Sequence, residues 1–241
     1  MSARFFRFWA VLALLLCVSA PWVPSSFAVT PRTQGIDPAL LAKATAGDAK
    51  SQYKLGNMYY LGDGVRRDYS QAEFWWRKAA VQRDPAAQFM LGGLYHFGQG
   101  VPQDSAQAFA WIMKAAKQGH TDAEFFIATA YGVGWSWGVA KDDAQTVVWL
   151  RKAAEQGHFN SQFALGQAYE AGDVGVPQDY AEAYFWLDLA TFGNATDSKR
   201  KEAHKLRNEA ASQLTPADLS RVQERARKWF AEHPSEPEQK K

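Results

Sequence analysis

A block of about 36 residues occurs four times in this chain, and a period of that length leaves few folds open. Tyr59, Tyr95, Tyr131 and Tyr169 each lie three residues beyond a pair of apolar and small residues, Leu55-Gly56, Leu91-Gly92, Ile127-Ala128 and Leu165-Gly166. Each tyrosine precedes a glycine-bearing turn, then an aspartate, then a tryptophan seven residues further on: Asp68/Trp75, Asp104/Trp111, Asp142/Trp149 and Asp179/Trp186. The tryptophans are 36, 38 and 37 residues apart. Units of this size stack into a solenoid, each burying its apolar face only against its neighbours.

The first half of each unit has apolar residues three and four apart, which predicts a helix with Ser51, Leu55 and Tyr59 on one face. The small residue beside that stripe permits close approach of another helix. In Gly62-Asp63-Gly64-Val65 and Gly98-Gln99-Gly100-Val101, glycine supplies the left-handed conformation that ends a helix. These turns follow helices, whereas a dinucleotide-binding loop follows a strand, so a helix-ending turn is expected rather than a phosphate cradle. Asp68, Asp104, Asp142 and Asp179 are N-caps of the second helices rather than catalytic acids. The second helix carries Ala72, Trp75 and Lys78-Ala79-Ala80, with Trp111, Trp149 and Trp186 predicted to continue one core. His120 and His158 share one repeat position after a glycine, which predicts a cap or turn and no metal site.

The columns Ala/Ser-x-x-x-Leu-Gly-x-x-Tyr, Gly-x-Gly-Val, Asp, Ala-x-x-Trp and Lys-Ala-Ala, seen in residues 52–80 and 88–116, resemble the SEL-1-like repeat, a relative of the tetratricopeptide repeat. Three departures stand out. Arg83 occupies a turn-glycine position, the third loop has two extra residues, and Leu189-Ala190-Thr191 replaces Lys-Ala-Ala. The resemblance implies an all-α, right-handed superhelical solenoid of about four αα-hairpins with helical caps. The expected organisation is a signal peptide (1–28), an N-terminal capping helix (29–48), four repeats (49–193), C-terminal capping helices (194–231) and a disordered tail (232–241). The resemblance further implies non-catalytic work as an adaptor or regulator that binds a protein partner. Some cysteine-rich relatives are associated with penicillin binding or hydrolysis, but their cysteine framework is missing here, which leaves a hydrolase as the third reading.

Arg4 and Arg7 precede the apolar run 8–20, and Ser26-Phe27-Ala28 has the small residues of a cleavage site. Export to a bacterial periplasm is the expectation, with no membrane span left after cleavage; whether the leader is cleaved or retained is open. The only cysteine, Cys17, lies in that run, so the mature chain has no disulfide. Loss of the two arginines takes Lys+Arg from 27 to 25, against 25 Asp+Glu. A formally neutral chain lacks the positive field that nucleic acid requires. No cofactor is expected, because no nucleophile and base, metal set or paired acids stand apart from the repeat.

Comparison of the four copies separates constant columns, which pack, from variable ones, which are free to face a partner. The variable stripe of the first helix is Lys54/Met90/Phe126/Ala164 with Asn57/Gly93/Thr129/Gln167, and Tyr60/His96/Gly132/Glu170 lies beside it. In helical solenoids such a stripe commonly lines the concave face. Met90 and Phe126, apolar where other copies are polar or small, form part of a groove for a partner segment or else extra core. Lys54, Asn57, Thr129 and Gln167 complete the expected contact set. Trp135 and Trp137, in the enlarged third loop, either anchor a partner or stack on a sugar, which makes a cell-wall glycan the alternative partner, or fold back to fill a gap.

Overall fold

The computed structural model of the protein describes residues 35–134, 138–192 and 196–233, all within one compact unit. Among these residues are eleven α-helices and no strand. A short α1 (Pro38–Thr45) precedes four hairpins: α2 (Ala49–Leu61) with α3 (Tyr69–Val81), α4 (Pro85–Phe97) with α5 (Ser105–Ala116), α6 (Thr121–Val133) with α7 (Asp143–Glu155), and α8 (Phe159–Ala171) with α9 (Tyr180–Thr191). Two further helices, α10 (Asp197–Ser212) and α11 (Pro216–Glu232), follow. Each helix packs on the next as far as α10, and α11 lies against α9. The chain is the all-α solenoid that its period predicts.

Hydrogen bonds at each hairpin bend explain the aspartate and tyrosine columns. The carboxylates of Asp68, Asp104, Asp142 and Asp179 accept from backbone N–H groups two or three residues ahead. Their own N–H groups donate to the carbonyls of Tyr59, Tyr95, Tyr131 and Tyr169 at 2.9–3.0 Å, closing the loop. A second capping column starts the first helices. Asp48 and Asp84 serve there, and in the third and fourth units Nδ1 of His120 and of His158 accepts from Ala123 and Ser161 at 3.3 Å. Gly98 ends α4 in the left-handed region, but Gly134 ends α6 at φ 81° and ψ −130°. The chain therefore leaves α6 in another direction, at the start of the loop that carries the two extra residues.

Packing shows why a small residue recurs beside the leucine. A Cβ on Gly56, Gly92 or Gly166 would lie 2.2–2.5 Å from Trp76, Ile112 or Leu187. Those residues belong to a buried column, Trp76/Ile112/Leu150/Leu187, that sequence comparison overlooks because its residue type varies. The tryptophan column is less uniform than predicted: Trp75, Trp149 and Trp186 are buried, whereas Trp111 is only half-buried. Lys114 and Lys152 cover the rings of Trp111 and Trp149 with Nζ at 3.8 and 4.0 Å, which accounts for the lysine of Lys-Ala-Ala. Leu189 replaces that lysine where the C-terminal helices bury the position.

Polar bonds tie one unit to the next. Gln52, Gln88 and Gln162 are buried, and their amides donate to the carbonyls of Ala44, Ala80 and Ala154 at 2.9–3.0 Å. Because Ala44 matches Ala80, α1 stands in for a missing second helix. Arg77 and Arg151 donate to the hydroxyls of Tyr95 and Tyr169, each at 2.5 Å. At the C-terminal end the same two positions hold Asp188 and Arg207, ion-paired at 3.0 Å. Helix α10 thus occupies the place of a fifth first helix, with Thr196 as cap and Ala203 and Ala210 buried. Helix α11 lies on α9 through buried Val222 and Ala226, a Gln223–Tyr184 hydrogen bond and an Arg225–Glu182 ion pair.

Candidate interaction surface

Two concavities differ sharply in character. The larger, about 770 Å³, lies among α7, α9 and α11 and mixes Arg151, Arg221, Arg225 and Lys228 with Glu155, Glu224, Glu232 and the rings of Phe185, Trp186 and Trp229. All four of these cations have partners: Arg225 with Glu182, Arg221 with Asp218, Lys228 with Glu224, and Arg151 with the Tyr169 hydroxyl. Such a balanced set gives no preference for a ligand of either sign.

The smaller concavity, about 210 Å³, is apolar and lies on the first-helix side of the second and third units. Its walls are Tyr60 from α2, Phe89, Met90 and Phe97 from α4, Ile112 from α5 and Phe126 from α6, with His96 and Gln99 as the polar members. Phe89 meets Phe126 edge-on at 5.3 Å, and the His120 ring stacks on Phe89 at 4.9 Å. Gly93 also lines the groove, and a Cβ there would meet nothing within 4 Å. The hollow therefore exists partly because one helical position lacks a side chain. Burial pushes the His96 imidazole pKa down, favouring the neutral ring in this apolar setting.

The structure places the sequence-predicted residues unevenly. Met90 and Phe126 come together in the groove, both half-buried. Lys54 and Gln167 are exposed away from it. Asn57 accepts a 3.0 Å hydrogen bond from the Trp76 indole, and Thr129 donates to the Phe125 carbonyl at 3.0 Å. Trp135 and Trp137 lie outside the described residues. Phe89 and Phe97 were missed, for different reasons. Phe89 belongs to the aromatic column Tyr53/Phe89/Phe125/Phe163, whose constancy assigns it to packing, yet it is half-buried and forms a wall. Phe97 ends α4 in the column of Leu61 and Val133, and these three remain 60–70% exposed. Among the described residues no cluster of three His, Cys, Asp or Glu could hold a metal ion, and no helix is long and apolar enough to cross a membrane.

The repeat geometry can now be set against known proteins. The Sel1 repeat profile matches residues 49–82, 85–120, 121–158, 160–191 and 212–232. The chain belongs to the Sel1 repeat family. The last match falls on α11 and the turn before it, in keeping with α10 and α11 as a degenerate fifth unit. A crystal structure of a Sel1 repeat protein from Oxalobacter formigenes is similar at 26% identity, covering 84% of this chain and 76% of that one with a TM-score of 0.61. A putative Sel1 repeat protein from Klebsiella pneumoniae is 23% identical, covering 80% and 98% with a TM-score of 0.47. A search of the curated proteins found no significant match. Sel1 repeats generally build protein–protein interaction scaffolds and are typically non-catalytic.

Proposed function

We propose that this Sel1 repeat protein is an exported, non-catalytic adaptor that holds a segment of a partner protein on its first-helix face, with one large apolar side chain of that segment seated between Met90 and Phe126. The groove carries this reading: an apolar hollow of about 210 Å³, open at Gly93, suits one such side chain. The exposed Leu61, Phe97 and Val133 extend apolar surface along the same helix ends. The leader-like segment with Arg4, Arg7 and its apolar run supports export, to the periplasm.

Filling the groove tests the reading without harming the fold. Gly93→Leu should stabilise α4 by up to about 1 kcal/mol through helix propensity. It should also abolish the crosslink to the partner formed in the native envelope. Phe126→Ala should weaken the same crosslink. Undiminished crosslinking in Gly93→Leu, with its melting temperature raised, would refute the groove as the binding site.

A further inference from the structure

We infer that Glu124 works as a neutral carboxylic acid in the joint between α5, α6 and α7, donating its proton to the carbonyl of Ala116, so that this joint tightens as pH falls. The chain supplies its own controls. At the same repeat position Gln52, Gln88 and Gln162 each use an amide N–H₂ to reach a carbonyl eight residues back, Ala44, Ala80 and Ala154. Each of those carbonyls also accepts from the turn that follows it, Gly47, Arg83 and Gly157. Ala116 is the matching carbonyl in the third unit and accepts from Gly119 in the same way. By correspondence with the sister units Glu124 is the donor for its second bond, and an ionised carboxylate has nothing to donate.

The oxygens of Glu124 can be assigned by the same comparison. Gln82 and Gln118 donate to the side-chain oxygens of Gln52 and Gln88 at 2.7 and 2.8 Å. Gln156 donates to Oε2 of Glu124 at 2.6 Å, so Oε2 takes the amide-oxygen role. By that correspondence Oε1 takes the role of the amide nitrogen, which in the sister units reaches the carbonyl equivalent to Ala116. With the carboxyl ionised, two acceptors would face each other in a site where Glu124 is 4% exposed. A proton on Oε1 turns that repulsion into the hydrogen bond its sister units make.

The charged neighbours do not overturn this arrangement. Burial raises the Glu124 pKa, Lys152 on α7 and the hydrogen bond from Gln156, the residue capping α7, act against it, and Glu155 on α7 adds to the rise. Lys152 Nζ sits 4.0 Å from the centre of the Trp149 ring. Among the described residues no cation lies within ion-pair distance of Glu124, and on its own helix Asp122 is directed to His158 at 3.6 Å. A carboxyl whose folded-state pKa is raised favours folding in its protonated form. Its contribution is undiminished below the ordinary carboxyl range and is lost as pH rises through the folded value.

The full chain tests this in two ways. Carbon NMR of the side-chain carboxyls should show Glu124 titrating above the exposed glutamates. Glu124→Gln should melt roughly 2–4 °C higher than the parent chain at neutral pH, with the gap closing as pH falls into the carboxyl range. A Glu124 midpoint at or below those of the exposed glutamates would overturn the inference, and so would a melting difference that is the same at every pH. The NMR titration is read on the parent chain, and assigning Glu124 there by through-bond connection to its backbone makes the result independent of whether the variant folds.

Discussion

At the scale of single residues, the repeat acts as its own mutant series. Gly47, Arg83, Gly119 and Gly157 fill one turn position, and all four have positive φ, including Arg83 at 71°. The departure at Arg83 was legible from sequence alone, and the backbone shows its cost: a side chain held in the left-handed region. Gly119 separates that cost from crowding, because at φ +83° it has no atom within 4 Å of a built Cβ. Gly119→Ala should therefore lose about 1–2 kcal/mol from backbone strain alone, measured as a shift in the urea midpoint at unchanged slope. A loss of several kcal/mol would point to crowding instead. The Trp76/Ile112/Leu150/Leu187 column shows the limit of such comparison: its positions share burial but differ in shape, and sequence shows only shape.

At the scale of helices, the capping columns divide into two chemistries. Aspartate starts α2 and α4, while histidine starts α6 and α8 and must keep Nδ1 unprotonated to accept an amide. Burial pushes the pKa of both histidines down, with Asp122 opposing it at each. A histidine whose folded-state pKa is depressed contributes stability above its ordinary value of about 6.5 and loses it as pH falls through the folded value. This sign is opposite to that of Glu124. Replacing both by asparagine, a cap that does not titrate, should leave stability near pH 7.5 little changed and reduce its decline towards pH 5, as read in urea melts at each pH. An unchanged decline would show that the caps are not the acid-sensitive elements.

At the scale of the whole molecule, each unit answers to its neighbours, so the last one must be covered. Helix α11 supplies that cover over α9, where Phe185, Trp186 and Leu189 are nearly inaccessible. A chain ending before Thr215 should keep a helical circular-dichroism spectrum, lose at least about 1.5 kcal/mol of stability and bind an apolar dye. Unaltered dye binding would mean that α10 alone seals the stack. The order of the helices was legible because stacking demands fixed small, aromatic and capping residues at a fixed period. The groove was legible only in part. Met90 and Phe126 stood out as exceptions in their columns, whereas Phe89 looked like ordinary packing and the open floor at Gly93 depends on how α4 and α6 meet. The pair Asp188–Arg207 has a consequence for how the chain assembles. Were α10 to dock one or three hairpins too early, Arg207 would confront Arg151 or Arg77 in place of Asp188, and like charges would push it away. Helix α10 thus carries its own address, which guards similar modules against slipping out of sequence as they fold.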